Sequence, residues 1–451
     1  MGDIKINSMK YLSIIPFHGL FNWSVQYLTN TKIGFTTAFP MVRIGDFLSR
    51  NRTPVTIEDK KEYVRVRIKT HNGGVERREK NNVLGKNIGT KKQYVISEGQ
   101  FIVSKIDARN GAMGIVPKEL DGAIVTQDFL PYDIDTTQIN PEYFVRVCTT
   151  KPFIEFCQSC SSGTTNRQRI NEEEFLNIKI PVPKLKGQGV IIKEYKSLIL
   201  KALAIEKKCE KKEEALKKYL NSVLGLLRVK KENVSSLSFI HFKDTLVRWD
   251  AYLIDEGITS TYPVVTLGSV SHDIATGTTP PTNNKEYFGG EIKFFTPSDI
   301  NGTMYLSKSE RFISRKAVDN RKARLFHKSD LLFVGIGSTI GKVGLVNDNV
   351  VSSNQQITGI TLDITRILPE YAFYYLTFNK DVSTAEQSKT TLPIMNQEKI
   401  ARIPIPLPKI RKQKEIVIHL NHKKEEIKQL NENVEKLHSQ AIKHFENIIF
   451  E

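Results

Sequence analysis

The sequence predicts an α+β protein: two tandem mixed α/β domains separated by two long helices that form an antiparallel coiled coil, a pseudo-two-fold internal repeat. Three observations predict it. The 451 residues exceed one ordinary domain at roughly 150 residues each. The chain repeats itself in order over most of its length, and two stretches carry a sustained four-three apolar spacing. The composition, 39% hydrophobic and 25% charged, is that of folded protein and excludes wholesale disorder.

The repeat is read from ordered pairs. Ile180-Pro181-Val182-Pro183-Lys184 answers Ile405-Pro406-Leu407-Pro408-Lys409, flanked by Asn171, Glu173 and Gln188 against Asn396, Glu398 and Gln413. Asn140-Pro141-Glu142-Tyr143 answers Leu368-Pro369-Glu370-Tyr371. Gly111-Ala112-Met113-Gly114-Ile115-Val116 answers Gly341-Lys342-Val343-Gly344-Leu345-Val346. Pro40 to Gly45 answers Pro263 to Gly268, and Trp23 with Tyr27 is echoed by Trp249 with Tyr252. Chance similarity does not keep such order across a chain, and long-period self-similarity marks duplicated architecture.

Within each copy the elements follow one order. Strand-like runs such as Tyr94-Val95-Ile96 and Phe101-Ile102-Val103 come first, separated by glycine turns. A short helix starts at Pro141 or Pro369, where the missing proline N–H costs nothing. The Ile-Pro-x-Pro-Lys segment is an extended connector that no helix can cross.

A long helix follows. Its apolar seam is Ile191, Tyr195, Leu198, Ala202, Ile205, Cys209, Leu216, Tyr219 and Val223, with Lys212 off pattern. The second seam is Ile416, Leu420, Ile427, Leu430, Val434, Leu437, Ala441 and Ile448, with Lys423 and His444 off pattern. A narrow seam of this length wants a partner helix. The two helices are expected to pair with each other, antiparallel, over about 33 residues or roughly 50 Å.

Lys and Arg outnumber Asp and Glu by 66 to 49, a net charge of +17, which points to a polyanion. No apolar run reaches 18 residues, the N-terminus lacks a signal design, and Ile6 breaks a myristoylation pattern. Four cysteines make no disulfide scaffold. The chain is expected to be cytoplasmic.

No catalytic signature survives inspection. Gly335 to Lys342 resembles a phosphate loop, but its glycine spacing is wrong and Val343 stands where a magnesium-binding hydroxyl belongs. A glycine-rich turn is the reading. Asn140-Pro141-Glu142-Tyr143 lacks the second proline of an amino-methyltransferase tetrad, and no GxGxxG follows a strand. Pro-Asp, GxSxG and HExxH are missing. Cys157-Gln158-Ser159-Cys160 is a lone pair of possible ligands with no partner set, so no metal is expected.

The basic residues form sets instead. Arg65, Arg67 and Lys69 alternate, so on a strand they share one face. Arg77, Arg78 and Arg109 follow, with Thr164, Thr165, Asn166, Arg167 and Arg169 in a polar loop. The second copy offers Ser298, Arg311, Arg315, Arg321, Lys322, Arg324, Gln355, Lys389, Thr390 and Thr391. Arg, Asn and Gln suit base edges, and Lys and hydroxyls suit phosphates. Residues 189–231 carry 12 basic and 5 acidic side chains, so Lys207, Lys208, Lys211 and Lys212 are expected to face DNA or an acidic partner.

Taken together, the duplication, the register-matched helices, the two Ile-Pro-x-Pro-Lys connectors, Phe294 to Ile300, Gly337 to Gly344 and Ser352 to Gln356 resemble the specificity subunit of type I restriction-modification systems. The resemblance runs from about residue 20 onward. Tyr63 to Ile68 in the first copy departs from the Thr-Pro-Ser-Asp-Ile run of the second. The resemblance implies target-recognition domains at 40–188 and 263–410. The long helices fall at 189–227 and 411–451, with a lead-in at 1–39 and a linker at 228–262. It further implies that each half reads one half of a bipartite asymmetric DNA site. The coiled coil would set the spacing and dock two methyltransferase subunits, which a motor-nuclease subunit can join. S-adenosylmethionine, ATP and magnesium would belong to those partners, and this chain would hold no cofactor and do no chemistry. The alternative is the same module serving another DNA-modification or phage-defence assembly.

Overall fold

The structure, a computed structural model, describes residues 33–70, 74–159, 161–162, 169–228, 257–387 and 393–450. The Trp23–Tyr27 and Trp249–Tyr252 pairs lie outside these residues. The chain divides into a first unit, residues 1–204 with 433–451, and a second unit, residues 205–432. Each long helix, Leu185–Val223 and Ile410–Ile449, contributes one part to each unit.

The duplicated motifs are duplicated structure. In the first unit an antiparallel sheet has the order Met113–Ile115, Phe101–Ser104, Phe129–Ile134, Leu48–Arg50. In the second the same order recurs as Val343–Val346, Leu331–Val334, Ile357–Leu362, Ser271–Thr276, extended by Tyr305–Leu306. The run Tyr63 to Ile68, so unlike its counterpart, nonetheless takes the same place. Arg65 bridges Ile124 in parallel, as Phe294 and Phe295 run parallel to Ser352 and Ser353.

The repeated glycines have two physical reasons. Gly111 and Gly341 sit at φ +76° and +83°, left-handed values that L side chains resist. Gly114 and Gly344 lie under close neighbours. A Cβ would sit 2.9 Å from the Gly74 backbone nitrogen at the first and 2.7 Å from Leu306 Cδ2 at the second. Gly341→Ala would also press its Cβ to 2.6 Å from Thr384. We expect that change to cost about 1–3 kcal/mol in urea unfolding. Residues 335–342 join two adjacent strands as the expected glycine-rich turn.

The Ile-Pro-x-Pro segments are strands as well as connectors. Lys179–Pro181 pairs with Met41–Arg43, and Pro404–Pro406 pairs with Val264–Thr266. Each copy thus closes its first repeated motif onto its last. Tyr143 Oη donates to the Pro181 carbonyl at 2.7 Å, and Tyr371 Oη to that of Pro406 at 2.7 Å. Pro141–Cys148 and Pro369–Phe378 are the short helices that carry these tyrosines. Asn140 caps the first by accepting the N–H groups of Glu142 and Tyr143, a role Leu368 cannot fill in the second.

The long helices are 39 and 40 residues, about 60 Å each rather than roughly 50 Å. They begin before their seams, because one extra turn carries Gln188 or Gln413 into the adjoining domain. In the second unit, Cys209, Leu216, Leu220 and Leu224 share a core with Ile416, Val417, Leu420 and Ile427. Lys212 bonds Glu426 at 2.8 Å, Lys424 bonds Glu213 at 2.8 Å, and the Tyr219 and His419 rings stack at 4.1 Å. Residue numbers rise on one helix as they fall on the other, so the pairing is antiparallel. In the first unit, Ile191 and Ile192 share a core with Phe445 and Ile449, and Val434 is buried. Tyr195 and Leu198 there, and Ile205 and Leu430 in the second unit, are half-buried.

The expectation for Lys212 needs correction. It faces Glu426 rather than an outside partner, while Lys207, Lys208 and Lys211 are exposed. Hydrogen bonds from Lys212 and then Lys423 hold the Glu426 carboxyl down at about 2, with His422 also near at 3.4 Å. A depressed folded pKa stabilises above the ordinary carboxylate value of 4.5, and that contribution is lost as pH falls toward about 2. Glu426→Gln should therefore lower the melting temperature at pH 7, with the gap from the parent chain closing between pH 4.5 and pH 2.

Candidate nucleic-acid interface

The strand Val66–Ile68 pairs with Val75–Arg77 and presents the alternating cations on one face. The structure answers each of them with a carboxylate. Arg67 and Lys69 both reach Glu76 at 2.6 Å, and Arg65 pairs with Glu79. Lys69, then Arg67, hold the Glu76 carboxyl below its usual range. Arg78 lies 3.5 Å from Glu79, and Arg77 bonds Asn82. Apart from the half-buried Arg65, these side chains remain exposed, but as an ion-paired surface rather than a bare cationic one. Arg109 is half-buried in the turn Ala108–Asn110, where its carbonyl accepts from Gln158 Nε2 at 2.9 Å.

Arg169 lies in a different place. It makes a two-pronged contact with Asp128, at 3.2 and 3.1 Å, beside Arg50, Arg52, Lys105 and Gln127. Together with Tyr94 they line a cleft of about 360 Å³. Arg50 stands on the strand Leu48–Arg50 with its guanidinium 5.1 Å from the Tyr132 ring centre. Burial pulls its pKa down, opposed by Glu172 at 3.6 Å. Its Nε and Nη1 find no hydrogen-bond partner among the described residues. Arg52 is about half exposed, 3.9 Å from Glu172. Four cations against Asp128 and Glu172 leave a net positive concave surface.

Of the cleft residues, only Arg169 was legible in the sequence. Leu48-Ser49-Arg50-Asn51-Arg52 carries its arginines two apart, the alternation that strands show. The neighbouring loop residues Thr164, Thr165, Asn166 and Arg167 lie outside the described residues.

In the second unit the predicted cations scatter. Arg315 pairs with Asp319 on a short helix, and Arg324 lies 3.9 Å from Asp273. Arg311, Arg321 and Lys322 are exposed, with no side-chain hydrogen bond or ion pair among the described residues. Ser298 Oγ bonds Thr296 at 2.8 Å within a turn. Gln355 lines a cleft of about 380 Å³, with Thr276, Thr358, Gln356, Ile394 and Gln397. Lys389, Thr390 and Thr391 fall outside the described residues. Charge alone picked out the exposed cations, whereas this cleft is neutral at most positions.

Among the described residues no group of three or more His, Cys, Asp or Glu could hold a metal ion. Cys148 and Cys157 are buried, and burial pushes the Cys148 thiol well up. Cys160 lies outside the described residues. No helix of the described residues is long and apolar enough to cross a membrane.

The chain matches the family described as the type I restriction modification DNA specificity domain twice, over residues 38–216 and 259–436. The specificity subunit of the type I restriction enzyme MjaIX, from Methanocaldococcus jannaschii, is 29% identical over 183 residues. That alignment covers 39% of this chain and 41% of the relative, so less than half of the curated relative's length is spanned. A solved chain from work on complex assembly and conformational transition of the type I R-M system shares the fold. Its TM-score is 0.53 at 17% identity, covering 92% of this chain and 98% of that one. With both halves matched and the duplicated fold in place, the chain belongs to the type I restriction-modification DNA specificity family, whose members are non-catalytic DNA-recognition proteins.

Proposed function

We propose that this chain is the target-reading subunit of a type I restriction-modification assembly. Each repeat, residues 40–188 and 263–410, reads one half of a bipartite asymmetric DNA site. The paired helices set the distance between the half-sites and dock two methyltransferase subunits, and restriction subunits join to complete the complex. S-adenosylmethionine, ATP and magnesium act on those partners. The complex works on DNA in the cytoplasm.

The observation that carries this reading is the coexistence of sameness and difference. The two copies share sheet order, glycine turns, buried tyrosine bonds and helix register. They differ in the loops and in what lines their clefts. A shared frame suits identical partners, and different linings suit different half-sites. The net charge of +17 supplies the electrostatic attraction to phosphates.

The test is co-production with a type I modification subunit from the same host, followed by methylation mapping of the host genome. Two short half-sites at a fixed gap are the expected result. A continuous motif would sink the two-reader scheme. A complex that assembles but methylates nothing would move the chain to another defence assembly.

A further inference from the structure

The two clefts occupy the same place in the two repeats. Lys105 N–H donates to the Asp128 carbonyl at 2.7 Å, and Gly335 N–H to the Gln356 carbonyl at 2.8 Å. Ile170 N–H donates to the Lys105 carbonyl at 3.0 Å, and Met395 N–H to that of Gly335 at 2.8 Å. Arg50 lies opposite Tyr132, which lies opposite Phe101. Ile274 lies opposite Ile360, which lies opposite Leu331. This register makes Arg52 equivalent to Thr276, Lys105 to Gly335, Gln127 to Gln355, Asp128 to Gln356 and Arg169 to Ile394.

A cleft held at one position by the same backbone bonds, yet lined differently, is what a reader of two different half-sites needs. The first cleft gathers Arg50, Arg52, Lys105 and Arg169. In the second, every one of those cations is replaced by a neutral residue. Thr276 and Gln355 stand at the rim there, and Gln397 donates to Thr276 Oγ1 at 3.0 Å. Gln127 and Gln355 are exposed at matching points, so each copy keeps one amide at the mouth.

We propose that these clefts are the base-reading pockets of the two half-sites, and that their linings give them different preferences. The proposal rests on the two-reader function above and deepens it. The first cleft takes guanine: its excess guanidinium donors match the O6 and N7 acceptors of that base in the major groove. The second takes adenine, because a neutral glutamine can donate to N7 and accept from N6 at once. Arg52 and Gln127 determine specificity in the first unit, Gln355 and Gln397 in the second.

The experiment compares methylation motifs of the intact complex carrying the parent chain, Arg52→Ala, Gln127→Ala or Gln355→Ala. All three side chains are exposed, and melting curves check that the variants stay folded. The expected result is that Arg52→Ala loosens a guanine position, and that Gln127→Ala weakens discrimination in the same half-site only. Gln355→Ala loosens an adenine position in the other half-site, with the gap unchanged. Discrimination at the loosened position should fall by at least about fivefold. Unchanged motifs in folded variants overturn the proposal while leaving the bipartite reading intact. Uniform loss of methylation at every sequence also overturns it, because that is the signature of a phosphate contact. A parent complex without a bipartite motif removes the underlying function and the proposal together.

Discussion

Gln413→Ala is expected to destabilise the second unit by about 3–5 kcal/mol, as large an effect as one polar substitution should have here. Gln413 is fully buried. Its Oε1 accepts the Leu368 N–H at 2.8 Å, and its Nε2 donates to the Arg366 carbonyl at 2.9 Å and the Pro408 carbonyl at 2.8 Å. One side chain therefore ties together the start of a short helix, the end of the connector and the first turn of a long helix. Alanine leaves three backbone groups unpaired, each costing about 1–3 kcal/mol, with some relief from relaxation. Gln188 makes the same three bonds in the first unit, to Asn140, Gln138 and Pro183. Gln188→Ala should cost as much there. Urea unfolding of the whole chain, followed by probes in each half, would separate the two effects. Gln413→Glu should do no better than alanine, since a carboxylate would face two carbonyls. A loss below about 1 kcal/mol would mean that water takes over the three bonds.

The second large effect concerns spacing, and follows from the proposed function. Seven residues inserted after Ala204 and seven after Glu432 keep both seams in register and lengthen each helix by about 10.5 Å. That is about three base pairs, with a rotation near 100° around a helix of 10–10.5 base pairs per turn. Methylation of the native site should be abolished although the chain remains folded. Three heptads in each helix add about 31 Å, close to one full DNA turn. Methylation should then return on a motif with the same half-sites and a gap longer by about nine or ten base pairs. Native-site methylation that survives the single heptad would show that the helices do not set the gap.

Features that depend on local periodicity are legible in the order of residues along the chain. Ile191, Ala202, Ile416, Leu420 and Ile427 announce a seam because a helix brings every third or fourth residue to one side. Pro141 and Pro369 mark helix starts because proline is best tolerated in the first turn of a helix. Other matches are visible without their reason. Gln188 and Gln413 are a pair in the sequence, but nothing in it says that each seals three backbone groups.

The candidate interface was less legible than the frame. Reading charge alone selected Arg65, Arg67 and Lys69, and missed that Glu76 and Glu79 fold back to pair with them. It also missed Arg50, Arg52 and Lys105, which stand far from Arg169 along the chain and meet it only when the sheet closes. In the second copy Gln355 was visible, while Gln397, which lines the same cleft, was not. A cleft is a property of segments brought together from distant positions, and a local pattern carries no record of it.

By itself, then, the sequence determined the duplication, the order of elements, the two long amphipathic helices and the absence of catalytic signatures. Each of these is written in spacing along the chain. Only the tertiary structure decided that the Ile-Pro-x-Pro segments pair with the leading strands, that Lys212 answers Glu426, and that equivalent clefts are cationic in one copy and mostly neutral in the other. Those outcomes depend on hydrogen bonds and charges between residues far apart in sequence, whose energies exist only once the backbone has placed them within reach.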